Sequence, residues 1–111
     1  MSKKRLNSKK KGMRREREAR KIAEKEGYYV CPAKGSLGLW DFVAIPKDEN
    51  ILHGLPRVVQ VGSNKIYGEK REKLASFEIV AEKEIWVKQD YKPWLRIRWN
   101  DIFKSWEVIE A

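Results

Sequence analysis

Residues 12–45 read GMRREREARKIAEKEGYYVCPAKGSLGLWDFVAI. Residues 13–26 are rich in Arg, Glu, Ala and Lys, all good helix formers. Gly27 stands where a left-handed residue would cap that helix. Tyr28, Tyr29, Val30 and Cys31 then read as a short strand, stopped by Pro32. Residues 33–38 form a glycine-bearing loop, and residues 40–45 a second strand ended by Pro46. Helix, cap, strand, loop, strand is the opening of a fold in which helices pack on a sheet.

Outward from this stretch the pattern continues. Residues 47–56, KDENILHGLP, are a polar loop, and the β-branched run at 57–61 is a third strand. A loop at 62–65 precedes a second helix at 68–77, with Leu74 and Phe77 on one face. Strands follow at 84–88, 94–99 and 105–109, with a turn at 90–93. In the fifth strand Leu95, Ile97 and Trp99 alternate with Trp94, Arg96 and Arg98. The expected class is α/β (α+β), a central mixed sheet flanked by helices. Residues 1–11 read as a flexible basic arm and residues 12–111 as one domain.

The chain has 111 residues, 41% hydrophobic and 37% charged. That is too apolar for a disordered chain. Its longest apolar runs are a few residues, far short of the about 20 that a membrane helix needs. A basic start followed by an Arg/Glu-rich stretch is no signal peptide. The one cysteine, Cys31, excludes an internal disulfide, and a cytoplasmic setting is expected, since nothing suggests an oxidising compartment. With only one histidine, His53, a zinc site is not expected. Residues 1–27 hold 12 Lys/Arg against 4 Asp/Glu, while the remaining 84 residues hold 13 against 12. A positive field confined to one quarter of the chain suits a polyanion, with nucleic acid foremost. Lys9, Lys10, Lys11, Arg14, Arg15 and Arg17 are its candidate phosphate contacts.

Three polar residues point to chemistry. With Glu16 set at zero and about 100° per residue, Ala23 lies near 340°, Ala19 near 300° and Glu18 near 200°. Glu16 therefore falls within the small-residue face that meets the sheet, and Glu18 in solvent. A carboxylate on a buried face must pair, bind a metal or titrate. Asp41 opens the second strand after the glycine loop. Gln60 interrupts the apolar run Val58–Val59–Gln60–Val61, where its amide oxygen needs a partner. Hard cations take carboxylate and amide oxygens. The three are expected to converge at the edge of a small sheet, the plan of a metal-dependent phosphodiesterase.

Gly12 followed by Glu16–Arg17, a helix ending at Gly27–Tyr28, then Gly35–Ser36 and Asp41 together resemble the archaeal Holliday-junction resolvases of the PD-(D/E)xK nuclease superfamily. Val59–Gln60–Val61 is similar to the Gln-Val-Lys variant of small phage and plasmid nucleases. The resemblance covers roughly residues 11–65. It implies a restriction-endonuclease-like fold, a homodimer, and Mg²⁺ or Mn²⁺ as cofactor. It implies that Glu16 helps to bind or orient metal and that Asp41 is the principal ligand. Gln60 takes the second ligand position with the Val61 carbonyl beside it, Ser36 lies near the phosphate, and Arg17 contacts the DNA backbone. Two positions depart. Gly62 stands where the family has its lysine, and Pro32 where it has an arginine. Lys65, or Lys34 in the glycine loop, would then have to supply the missing ammonium.

Three functions follow from these readings. The first is a metal-dependent endonuclease on branched DNA such as Holliday junctions, with Glu16, Asp41, Gln60 and Lys65 as its catalytic set. The second is a non-catalytic nucleic-acid-binding protein on the same fold, which Gly62 favours. The third is an interaction protein whose basic arm binds acidic partners, with some of the five Trp residues as anchors.

Overall fold

Among the described residues eight elements follow in order: α1 (Ser2–Lys25), β1 (Tyr28–Pro32), β2 (Phe42–Pro46), β3 (Arg57–Ser63), α2 (Gly68–Ser76), β4 (Glu82–Lys88), β5 (Leu95–Asn100) and β6 (Ser105–Glu110). The computed structural model describes residues 2–33, 39–47, 54–63, 68–89 and 92–110. Lys34, Ser36, His53 and Lys65 lie outside them, as do the side chains of residues 2–11, including Lys9, Lys10 and Lys11.

The strands form one six-stranded sheet in chain order. β1, β2 and β3 are antiparallel, β3 and β4 are parallel, and β4, β5 and β6 are antiparallel again. A parallel pair needs a crossover, and α2 lies within it. The result is a mixed sheet with helices, an α+β architecture.

Each sheet face has its own core. On the α1 side Ala19 and Ala23 pack against Phe42, Ala44, Val59, Val61 and Trp86. The two alanines have no bulk to hold the helix away from the sheet. Phe42 meets Trp86 edge-on at 5.8 Å between ring centroids, and burying a side chain of this kind stabilises the fold by about 3 kcal/mol. On the other side Val58, Leu74, Ile85 and Val87 form the core, flanked by Trp40, Val43, Leu95, Ile97 and Trp106. The two faces alternate along β3 as strand geometry requires, Val59 and Val61 to one and Val58 to the other.

Gly27 has φ 95° and ends α1, and its N–H donates to the Glu24 carbonyl at 3.1 Å. That is the left-handed cap expected at this position. α1 itself is longer than the sequence pattern indicates. It begins at Ser2, not near residue 13, so the backbone of the stretch read as an arm is helical. Lys and Arg are good helix formers, and one interior glycine, Gly12, costs only about 1 kcal/mol. β2 begins at Phe42, which leaves Asp41 in the bend before it.

The fourth and fifth strands carry buried charge. Glu84 of β4 is fully buried. Its carboxylate lies 3.2 Å from Arg57 Nε and 3.1 Å from Arg98 Nη2. It also accepts from Trp86 Nε1 at 2.9 Å. Arg96 of β5 donates to both oxygens of Glu26 at 2.9 Å and stacks over Trp86. Lys83 Nζ donates to the Ala75 and Phe77 carbonyls at the C-terminal end of α2, where a cation also meets the negative end of the helix dipole. Burial lowers its pKa.

Candidate active site

Asp41 is held by the backbone of β3. Its N–H donates to the Val59 carbonyl at 2.8 Å, and its Oδ2 accepts from the Val61 N–H at 2.7 Å. The carboxylate therefore lies against β3 where Gln60, Val61 and Gly62 follow one another. A short hydrogen bond from the main chain gives the side chain little freedom.

Glu16 reaches Asp41 from α1. It is half-buried, and its carboxyl is hydrogen-bonded to that of Asp41. Burial raises its pKa, and the negative charge of Asp41 and the hydrogen bond between them raise it further. Arg20 and Arg15 oppose the shift. Two carboxylates in contact repel each other, so such a pair favours a shared proton or a cation between them.

Gln60 is buried, and its Oε1 finds no hydrogen-bond donor among the described residues. It lies in β3 one position beyond the Phe42–Val59 pair, beside Asp41. Among the described residues no three Asp, Glu, His or Cys side chains gather at one point. The set available to a cation is therefore two carboxyls, an orphaned amide oxygen and main-chain groups. All of these are oxygen donors suited to Mg²⁺ or Mn²⁺, so the residues fit a hard divalent ion.

Several expected residues are placed differently from their sequence reading. The sequence places the convergence at a sheet edge. Asp41, just before β2, and Gln60, in the middle of β3, instead lie inside the sheet, because β1 and β4 flank β2 and β3. Glu16 comes from the α1 side, whereas Gln60 alternates with Val59 and Val61 and leaves β3 on the α2 side. No described hydrogen bond joins Gln60 to either carboxyl. Val61 contributes its N–H to Asp41. Glu18 is not free in solvent, because its carboxylate lies 3.9 Å from Lys88 Nζ. Arg14 and Arg17 are exposed on α1, and Arg15 is half-buried. Gly62 lies in β3 opposite Val87 of β4, on the Gln60 face.

Arg20 escapes the sequence reading. In sequence it is one basic residue in a charged helix, and only the placement of Glu16 against Asp41 sets it apart. The Glu84 network escapes it too, because alternating charge and hydrophobicity reads as a solvated face.

No protein-family model matches the sequence, and no curated protein matches it. Among solved structures the chain is similar to Hjc, a Holliday junction resolvase from the archaeal hyperthermophile Archaeoglobus fulgidus. The TM-score is 0.59 at 21% sequence identity, over 75% of this chain and 72% of that chain. The fold is thus restriction-endonuclease-like. No helix among the described residues is long and apolar enough to cross a membrane.

Proposed function

We propose that this chain is a metal-dependent endodeoxyribonuclease that cuts branched DNA, four-way junctions among them. The observation that carries the reading is the contact between the Glu16 and Asp41 carboxyls at the strand ends, beside the orphaned amide oxygen of Gln60. The likeness of the fold to a resolvase supports it, as does the positive charge concentrated in α1.

Asp41 and Glu16 would hold the ion, with Asp41 prealigned by Val61, and the Gln60 amide oxygen would join them from its position across from Asp41, one step beyond the Phe42–Val59 pair. A bound Mg²⁺ stabilises the negative charge that builds on the phosphate during attack by water. The water oxygen bonds to phosphorus, one ester P–O bond breaks, and the strand ends as a phosphate and a hydroxyl. Protons are exchanged with solvent. A bound cation would offset the burial and the Asp41 charge that raise the Glu16 pKa. Arg14, Arg17 and the lysines near the start of α1 would bind the DNA backbone, which supplies affinity and orientation without sequence. A two-fold homodimer would present two such sites to a two-fold junction.

Gly62 supports a second reading, a DNA-binding protein that does not cut. The two are separated by incubating a labelled four-way junction with Mg²⁺ or Mn²⁺. The wild type is expected to nick it, and Asp41→Ala to lose about 100-fold or more of that activity. Gly62→Lys, whose side chain would project on the Gln60 face, is expected to raise it. If neither wild type nor Gly62→Lys cuts while both bind the junction, the non-catalytic reading replaces the first.

A further inference from the structure

α1 divides the charges beneath it between two flanks. On one flank Glu18 meets Lys88 of β4 and Glu26 meets Arg96 of β5. On the other, Glu16 meets Asp41 at the start of β2. Arg20 is four residues after Glu16, hence one turn along the Glu16 flank, with side chains about 5–6 Å apart at their Cβ atoms. Helical side chains lean toward the helix N-terminus, so the Arg20 guanidinium is carried back toward Glu16 and the strand ends. Arg20 is half-buried, and no described acid lies within ion-pairing distance of it. Arg15, the other nearby guanidinium, lies on the opposite flank by helical position. Position 62, where a lysine would project beside Gln60, is glycine.

We propose that Arg20 contacts the DNA phosphate at the Glu16–Asp41 site and supplies there the positive charge that position 62 lacks. The role rests on the nuclease reading for its catalytic part, but phosphate contact does not require cutting. Guanidinium suits the task, because its planar fork takes two phosphate oxygens at once and does not deprotonate.

The test compares wild type, Arg20→Ala, Arg20→Lys and Lys73→Ala, the last an exposed control on α2. Junction affinity is measured against salt in Ca²⁺, Mn²⁺ affinity without DNA, and nicking in Mg²⁺, after thermal unfolding has shown each variant folded. Arg20→Ala is expected to make the slope of log affinity against log salt shallower by about one. It should lower nicking by about 100-fold and leave Mn²⁺ affinity within about 3-fold. Arg20→Lys should keep the slope and lose less activity, and Lys73→Ala should match wild type. In Arg20→Ala, the added Gly62→Lys should restore nicking. An unchanged salt slope in Arg20→Ala overturns the proposal, whether or not wild type cuts. Tighter Mn²⁺ binding with that unchanged slope would make Arg20 a counter-charge to the carboxyls only. If wild type cuts and Arg20→Ala cuts equally well, the catalytic part falls while the nuclease reading stands. If wild type cuts nothing, the nuclease reading falls, and the salt slope alone decides phosphate contact.

Discussion

Glu16 shows how one residue gathers information from several elements. The helix places it on the sheet side, and β3 holds Asp41 in its path. Its raised pKa means that the native protein binds the proton more tightly than the unfolded chain does. The stability this adds is fully present below the ordinary value of 4.5 and is lost as pH rises through the raised native value. The metal-free protein is therefore expected to lose stability across that window. Glu16→Gln, which keeps a hydrogen-bonding group but does not titrate, should flatten that part of the profile. Thermal unfolding in EDTA over a pH series reads this directly, and an identical profile in the variant would exclude the Glu16–Asp41 contact as the source. Glu84 is the other decisive residue. Its full burial between Arg57 and Arg98 leaves no water to replace it. Glu84→Ala should cost about 3–5 kcal/mol, because two guanidinium groups are then left without their buried counter-charge. Urea denaturation would show it, and a loss under about 1 kcal/mol would mean that solvent reaches the pair.

At the scale of elements, local chemistry is a good guide wherever a boundary is set by the chain itself. Gly27 ends α1 with φ 95°, where any side chain is strained, so Gly27→Ala is expected to cost about 1–2 kcal/mol in thermal stability. No measurable change would show that the cap relaxes without penalty. β1 ends at Pro32 and β2 at Pro46, each one residue after the point where the sequence pattern stops it. The start of α1 is not legible. Residues 2–11 contain six basic side chains and almost nothing apolar, so hydrophobic periodicity is silent there. Helix propensity alone, summed over the run, extends the element to Ser2. The interior position of the site in the sheet is equally hidden, because periodicity reveals a strand's faces but not its neighbours.

Over the whole molecule, charge and shape act together. The longest dimension is 47 Å, whereas strands of five to seven residues span only about 17–23 Å. α1, with 24 residues, is about 36 Å long, and among its residues with described side chains the buried core begins at Ala19. Residues 2–11 carry six basic side chains and almost nothing apolar, so they bring charge and little apolar surface to bury. Deletion of residues 2–11 should leave the unfolding temperature within about 2 °C and weaken junction binding. The salt slope should become shallower by about 0.9 for each phosphate that the shortened chain no longer neutralises. A steep slope retained by the shortened chain would place the main DNA-binding surface elsewhere.

The order and type of the elements, the cap at Gly27, the faces of β3 and the inward placement of Glu16 were all determined by sequence alone. Each depends on neighbours a few residues away, where φ preference and side-chain period act directly. Tertiary structure decided which distant groups meet: Val61 with Asp41 across 20 residues, Arg96 with Glu26 across 70, and the buried pairing of Glu84 with Arg57 and Arg98. It also decided that the Gln60 amide oxygen is left without a donor among the described residues. The reason is that an ionic or polar side chain carries no periodic signature of its partner. Its partner is set by which strands become adjacent, and adjacency is chosen by burial of the apolar faces over the whole sheet.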